Sequence, residues 1–313
     1  MKKLKILVVG SLNMDLLVNV SEMPKIGETV LGKSFKTVPG GKGANQAFAA
    51  SKLGGEVHML GNVGVDEYGK ILIESLKSVG VNTDSIERKK YIHTGLAFIV
   101  VEKNGDNNII VVPGANSTCS QEYISKHKDI IEMCDIVLLQ LEIPIDTVSY
   151  TVEIARQMNK IIVLNPAPAP HDLPDNILKK IDIITPNETE LQKLTGMATD
   201  SISDIKKAAN ILISKGVKTV IVTWGNKGAV VVTNNNCSIY NVEDVKVLDT
   251  TAAGDSFTAA VAVAMSEGKT LEEAINFANR VATVVVTREG AQTSIPSKAE
   301  VEQFYIDNNF AKS

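Results

Sequence analysis

The stretch Ile136-Val-Leu-Leu139, followed by Thr147–Met158 and then Ile161-Ile-Val-Leu164, decides the fold. Two unbroken apolar runs rich in β-branched residues flank a segment with helical spacing. A strand with one face in water alternates apolar and polar residues. An unbroken run is covered on both faces, as parallel strands are when helices pack above and below them. Similar runs occur at Lys5–Val9, Val57–Leu60, Ile181–Ile184 and Val220–Thr223, with helices expected over Tyr68–Val79, Ile205–Lys215 and Leu271–Thr287. Another helix carries Ala44, Ala47, Phe48 and Ser51 on one face and stops at Leu53-Gly54-Gly55, where glycine supplies the C-terminal turn. The pattern predicts an α/β fold: a doubly wound, mostly parallel sheet flanked by helices, with ligands beyond the carboxyl ends of the strands.

Two regions break the alternation. Leu16–Val20 followed by Thr29–Val38 is strand-like with no helix between. So is Gly95–Val101, a turn at Glu102-Lys103-Asn104-Gly105-Asp106, and Asn108–Val112; Asn-Gly at the turn signals a hairpin. Together these segments, about residues 15–38 and 95–112, predict a small inserted β-sheet in a chain otherwise read as one α/β domain over residues 1–313. Such a sheet has a face with no core of its own, so it is expected to close over a ligand, pair with a second subunit, or both.

Composition sets outer bounds. At 313 residues the chain can bury a large core. A net charge of −4 without blocks of like charge leaves no electrostatic footprint for nucleic acid or an anionic membrane. The apolar run Ile6–Val9 is too short for a signal peptide, and no stretch approaches a membrane span. Cys119, Cys134 and Cys237 lack metal-site or disulfide-framework spacing, and the four histidines are scattered. A cytoplasmic protein is expected.

The densest chemistry lies in Asp249-Thr-Thr-Ala-Ala-Gly-Asp-Ser-Phe-Thr258. Gly254 is expected to open a helix whose free N–H groups and positive dipole end form an anion site. Asp255 then reads either as a helix cap or as a base beside an anion hole, the pairing that phosphoryl transfer to an alcohol requires. Pro39-Gly-Gly-Lys-Gly-Ala-Asn45 is neither a Walker A loop nor a dinucleotide fingerprint, since Gln46 stands at the last position of the latter. Its glycines allow close backbone approach to a ligand, and Lys42 and Asn45 offer donors to hydroxyls; the alternative is a plain turn into a helix. Gly10-Ser-Leu-Asn-Met-Asp15 follows the first strand and sets an amide and a carboxylate on neighbouring faces of an extended segment. Asn13 and Asp15 are thus either a clamp for sugar hydroxyls or turn formers.

Glu142, in Leu139-Gln-Leu-Glu142, closes a buried strand with a charge that is useful if a ligand meets it. Thr185-Pro-Asn-Glu-Thr-Glu190 opens a helix, with Asn187 and Glu190 read either as a capping box or as groups near a phosphate tail and its magnesium. Thr223-Trp-Gly-Asn-Lys-Gly228 joins two strands and lets a nucleotide lie against backbone. Asn279 lies on a helix and Arg288-Glu-Gly-Ala-Gln-Thr-Ser294 forms a loop.

In this order, over nearly the whole chain, these stretches resemble the ribokinase-type carbohydrate kinase family. Its two signatures match Gly40-Gly-Lys-Gly-Ala-Asn45 and Asp249-Thr-Thr-Ala-Ala-Gly-Asp-Ser-Phe257, with finer matches at Gly10–Asp15, Gln140–Glu142, Asn165–Ala169, Ile183–Glu190 and Thr287–Gln292. Ala253 stands where many members carry Gly. The resemblance implies ATP-dependent phosphorylation of D-ribose at its 5-hydroxyl. Asp255 would be the base, and the backbone of Ala252, Ala253 and Gly254 the anion hole. Ribose would meet Asn13, Asp15, Gly41, Lys42, Asn45 and Glu142. ATP would lie along Asn187, Thr223, Gly225, Lys227, Gly228 and Asn279. Magnesium would be ordered through water by Asn187 and Glu190. A monovalent cation, K+, would match Asp249, Thr251, Val285, Arg288, Gly290 and Ser294, mostly through backbone carbonyls. The inserted sheet would be a lid and the interface of a homodimer.

Three other readings are weighed. A sister kinase would act on deoxyribose, a nucleoside or a hexose phosphate. A hexose phosphate would want extra basic residues near the lid, whose strands carry few: Lys33, Lys36 and Lys103. A non-catalytic sensor would have lost Asp255 or Gly254, and both are present. A dinucleotide dehydrogenase fails because Ser11–Asn13 supply no further glycine after Gly10.

Overall fold

The computed structural model describes residues 4–103 and 106–310. Its strands, in chain order, are β1 Lys5–Val9, β2 Asn13–Asn19, β3 Ser34–Gly40, β4 Glu56–Leu60, β5 Asn62–Gly64, β6 Glu87–Lys89, β7 Gly95–Val101, β8 Asn107–Val112, β9 Ile136–Leu139, β10 Ile161–Leu164, β11 Ile183–Ile184, β12 Thr219–Thr223, β13 Ala229–Thr233 and β14 Cys237–Tyr240. The helices are α1 Lys42–Lys52, α2 Glu67–Ser78, α3 Gln121–Lys126, α4 Lys128–Met133, α5 Ile145–Gln157, α6 Asp175–Leu178, α7 Glu188–Thr195, α8 Ile202–Ser214, α9 Ala253–Ser266, α10 Leu271–Val286 and α11 Lys298–Asp307.

Eight strands form the main sheet in the order β14-β13-β12-β11-β10-β9-β1-β4. All neighbours from β4 to β12 run parallel, and β13 and β14 add antiparallel at one edge. The unbroken apolar runs have the predicted cause. Ile6 and Val8 of β1 join a core with Ala44 and Ala47 of α1, Ala260 of α9 and Val281 of α10. Leu7 and Val9 face the other way, into a core with Val148 and Val152 of α5 and Leu212 of α8. Both faces of the sheet are therefore dry. Burial extends right around α9, whose Ala259, Ala260, Ala262 and Ala264 are at most 2% exposed; such small side chains let neighbouring helices approach closely.

A second sheet has the order β3-β2-β7-β8 and comes from the segments read as the insertion. Its first strand is longer than expected: β2 starts at Asn13 rather than Leu16, and β3 covers Ser34–Gly40 rather than Thr29–Val38. The ladder runs from Asn13 opposite Gly40 to Asn19 opposite Ser34, and the Lys33 N–H, donating to the Asn19 carbonyl at 2.7 Å, closes its end. Asn13 and Asp15 lie two apart in β2, so they share one face of the strand and do not lie on neighbouring faces. Strands β7 and β8 pair antiparallel as a hairpin; the Asn104-Gly105 turn expected between them lies outside the described residues. The run Ile181–Ile184 contributes only Ile183 and Ile184 to the ladder. Helices α3, α4, α6 and α11 carried no strong period in the sequence.

Candidate active site

The carboxyl ends of adjacent parallel strands line up along one edge. After β1 come Ser11 and Asn13, after β9 Gln140 and Glu142, after β10 Asn165, and after β11 Thr185 and Asn187. The N-termini of α1 and α9 face the same region, since Asn45 and Gln46 of α1 both hydrogen-bond Asp255 of α9.

The glycine-rich segment is shaped first by the protein itself. A Cβ at Gly41, whose φ is +89°, would stand 2.6 Å from the Asn13 backbone nitrogen. One at Gly43 would stand 2.5 Å from the Ser11 nitrogen, and one at Gly40 would stand 2.2 Å from Asp15 Oδ2. The close backbone approach expected for a ligand is used here to bring residues 10–15 against the start of α1. Glu142 ties the same parts together, with its Oε2 accepting from Ser11 Oγ at 2.5 Å, the Lys42 backbone N–H at 3.1 Å and Asn13 Nδ2 at 3.4 Å.

Carboxylates crowd this place. Burial pushes the Asp15 carboxyl up from 3.8 to about 7; the charges of Glu142 and Asp255 push the same way and Lys42 opposes them. Burial alone would lower the Lys42 ammonium, yet Asp255, Glu142, Glu190 and Asp15 together hold it above its ordinary value. The site is a half-buried lysine among acids, suited to a neutral ligand rich in hydroxyl groups.

Asp255 is 6% exposed. Its Oδ2 accepts from Asn45 Nδ2 at 3.1 Å and its Oδ1 from Gln46 Nε2 at 3.1 Å. The cap reading is overturned: the residue at the α9 N-cap is Ala252, in the left-handed region with φ 61°, and no side chain caps the helix. The Ala253 N–H donates to the Thr250 carbonyl at 3.2 Å, and with no capping side chain the N–H groups that follow in the first turn are left for something else. A Cβ on Gly254 would meet nothing within 4 Å, so open space lies over this helix start.

That space continues into a cleft of about 270 Å³ whose lining includes Asn187, Thr223, Gly225, Gly228, Gly254 and Asn279. Asn279 Nδ2 donates to the Tyr240 carbonyl at 3.0 Å and holds the end of β14 to α10. Val245, Val247, Ala282 and Val286 give the cleft an apolar wall suited to a flat ring system. Sequence reasoning missed Val245 and Val247, which sit in an irregular segment without period; Val286 ends α10. Lys227 is absent from this lining and lies instead over the Trp224 ring, 4.1 Å from its centroid.

Asn187 and Glu190 do form a capping box on α7, with Asn187 Oδ1 accepting from the Glu190 N–H at 2.7 Å and Glu190 Oε2 accepting from the Asn187 N–H at 2.9 Å. Burial is the larger influence on Glu190 and raises its carboxyl above the ordinary value.

Asp249 binds two loops. It accepts from the Thr251 N–H and hydroxyl and from the Gly290 N–H at 2.6–2.8 Å, and these bonds outweigh burial to hold its carboxyl below the ordinary value. The Val285 carbonyl accepts from the Arg288 N–H at 3.0 Å. The Arg288 guanidinium turns away to Glu300, 3.0 Å from its Oε1. Ser294 is fully buried and donates to the Ala291 carbonyl. No cluster of three or more His, Cys, Asp or Glu side chains fit to hold a metal occurs among the described residues.

Functional residues that the sequence reading left aside are carboxamides. Gln46, Gln140 and Asn165 are at most 5% exposed and linked to one another. Asn116 clamps the loop after β1, exchanging bonds with the Leu12 backbone and donating to Asn13 Oδ1 at 2.7 Å. A signal existed for two of them, since Gln140 and Asn165 each follow a fully apolar strand directly. Asn116 had none.

Comparisons with known proteins agree with this geometry. The model of the pfkB family carbohydrate kinases matches residues 3–298. The chain is 43% identical over 298 residues to the ribokinase of Bacillus subtilis, covering 95% of this chain and 98% of that protein. It is 39% identical over 299 residues to the deoxyribokinase of Salmonella typhi, covering 96% and 97%. Among solved structures, that of Arabidopsis thaliana ribokinase complexed with ribose and ATP superposes with a TM-score of 0.89 at 36% identity, covering 96% of this chain and 98% of that one. By the extent of the family match and of these likenesses, the chain belongs to the pfkB family of carbohydrate kinases.

Proposed function

We propose that this chain transfers the γ-phosphoryl group of ATP to the 5-hydroxyl of D-ribose, giving ribose 5-phosphate and ADP. The observation that carries the reading is the placement of Asp255. It is buried between an uncapped helix start open to a cleft and a hydroxyl-binding cluster of Asn13, Asp15, Lys42, Asn45 and Glu142. The ribokinase relatives and the complex holding ribose and ATP support the same reading.

In this mechanism the sugar's proton on O5 passes to an Asp255 carboxylate oxygen as O5 bonds to the γ-phosphorus. The bond from that phosphorus to the β–γ bridging oxygen breaks, and ADP leaves. The backbone N–H groups of Ala252, Ala253 and Gly254 would serve the equatorial oxygens, where charge develops, Ala253 by giving up its bond to the Thr250 carbonyl, and the α9 dipole adds to them. Residues lining the cleft, Asn187, Thr223, Gly225, Gly228 and Asn279, hold the nucleotide. In the present geometry Lys227 is engaged with Trp224 and reaches ATP only by leaving that ring.

Magnesium, when bound to the phosphates, would spread their negative charge. Glu190 fits a role of ordering its water, being a half-buried carboxylate one helical turn from the cleft-lining Asn187 with one oxygen in the capping box. Potassium fits Asp249, Thr251, Val285, Arg288, Gly290 and Ser294, because Asp249 bonds only to neutral donors and the remaining ligands would be carbonyls. The sheet β3-β2-β7-β8 serves as lid and joins two chains into a homodimer, and the protein works in the cytoplasm.

A deoxyribokinase among the relatives makes 2-deoxyribose the competing substrate. Rates of ADP release with D-ribose, 2-deoxyribose, nucleosides and a hexose phosphate test the choice. Ribose should lead deoxyribose by roughly tenfold to a hundredfold in kcat/KM, because the missing hydroxyl leaves a buried acceptor unpaired. Comparable efficiency would sink ribose as the preferred sugar. Asp255→Asn should lower kcat by roughly 10²–10⁴-fold; near-parental turnover would remove Asp255 as the base.

A further inference from the structure

We propose that Gln46 is a positioning residue that aims the Asp255 carboxylate, and that Gln140 fixes which end of Gln46 faces it; the inference rests on the reading of Asp255 as base. Gln46 is fully buried. Its Nε2 donates to Asp255 Oδ1 at 3.1 Å and to Asn165 Oδ1 at 3.2 Å, and its Oε1 accepts from Gln140 Nε2 at 2.5 Å. Asn165 is held in turn by donating its Nδ2 to the Thr185 carbonyl at 3.0 Å. Each amide has its donor end turned towards the next acceptor: one branch runs from Gln140 through Gln46 to the carboxylate, the other from Gln46 through Asn165 to the Thr185 carbonyl.

A carboxamide has two ends of nearly equal shape, and only its surroundings decide which one faces a neighbour. Turned over, Gln46 would present its oxygen to the Asp255 carboxylate and to Asn165 Oδ1 together, which is repulsive on both counts. Gln140 enforces the working orientation at a cost. Its own Oε1 is buried with no hydrogen-bond partner among the described residues, packed where a Cβ on Gly10 would come within 2.0 Å. A buried acceptor left unpaired is unfavourable, so a native structure that keeps one gains something elsewhere. Here the gain is a donor directed at Gln46 Oε1 and, through Gln46, at the base.

A second arm reaches the other oxygen. Ser75 Oγ donates to Gln292 Oε1 at 2.7 Å, Gln292 Nε2 to Asn45 Oδ1 at 3.5 Å, and Asn45 Nδ2 to Asp255 Oδ2 at 3.1 Å. The two arms grip the carboxylate from two sides and fix its plane. Asn45 is also in the hydroxyl-binding cluster, so its loss would disturb sugar binding as well. Gln46 separates the two effects, because the sequence resemblance assigns it no contact with sugar or nucleotide.

The test is a set of variants assayed for kcat, KM and thermal midpoint on the full chain. Gln46→Met keeps length and removes the donor; kcat should fall about tenfold to a hundredfold, with KM for ATP nearly unchanged. Gln46→Glu keeps length and the bond from Gln140 but turns an oxygen on Asp255. It should be at least as impaired as Gln46→Met, whereas a purely space-filling role makes it the milder change. Gln140→Met should lower kcat in the parent and add nothing in the Gln46→Met background, because it acts only through Gln46. Likewise Gln46→Met should add nothing in the Asp255→Asn background. A Gln46→Met loss that persists without Asp255, or a kcat within about threefold of the parent, overturns the proposal. Asp255→Asn turnover judges the base assignment separately. If Gln46→Met fails to fold, the Gln140→Met comparison in the parent and Asp255→Asn proteins decides the same point.

Discussion

Asn45 donates from Nδ2 to Asp255 Oδ2 at 3.1 Å, across 210 positions of chain. That bond joins the first turn of α1 to the first turn of α9, so the two helices begin at the same place. Helix starts carry free N–H groups and the positive end of the dipole. Two of them converging on one carboxylate give a site that favours negative charge, where a phosphoryl group in transit would sit.

Gly254→Ala separates stability from activity. A Cβ there meets no protein atom within 4 Å, so the fold accepts it and helix propensity gains slightly. The methyl occupies the space over the proposed anion hole, however. The thermal midpoint should stay level or rise while turnover falls by on the order of 10²-fold. Turnover equal to the parent's would show that no phosphoryl group passes over this residue.

Asp15 makes the ligand-free protein sensitive to pH. Its carboxyl ionises near 3.8 when exposed and near 7 when buried here. A raised acid stabilises the fold fully at low pH and loses that contribution as pH rises through about 7. Between about pH 4 and pH 7, the two values at which it ionises unfolded and folded, the unliganded protein should lose stability, by roughly 2–4 kcal/mol for this group. Asp15→Asn should flatten the profile, measured by denaturant midpoints across that range. An unchanged slope would mean that Asp15 is solvated in solution.

Potassium should activate by holding the loop that Asp249 ties to Gly290. Turnover in potassium is expected to exceed turnover in tetramethylammonium, with tighter apparent substrate affinity. Equal rates in both would argue against a working cation site.

The strand register places Phe98 opposite Ile110 on one face of the second sheet, and both are exposed. Apolar pairs left in water favour association. Ile110→Asp should give monomers with weaker sugar affinity in sedimentation and binding measurements. A parent protein that already sediments as a monomer rules the interface out.

Much of the fold could be read because burial on both faces writes itself as an unbroken apolar run. The strands β1, β9 and β10 have the bounds their runs predict. Helices α3, α4 and α6 were not legible, since so few residues cannot show a period. At the site, Asp255, Asn45 and Glu142 stood out through charge or motif. The carboxamides Gln46, Gln140 and Asn116 did not, because an uncharged polar residue looks the same in sequence whether it faces water or a catalytic group. Lys227 shows the reverse: it lies in a glycine-bearing turn, yet a neighbouring tryptophan takes its ammonium.

The three glycines that let residues 10–15 nest against α1 limit how this protein could be re-engineered. Gly40, Gly41 and Gly43 leave no room for a single methyl against Asp15, Asn13 or Ser11. The wall of the proposed sugar pocket is thus a joint between two backbone segments, and enlarging any of these positions would force the joint apart. Variation in acceptor preference would have to come from side chains projecting off β3 and β7, such as Val38 and Ala97, which flank Asp15 in the strand register. Libraries aimed at new sugars would do best to leave the signature motif intact and diversify the sheet beside it.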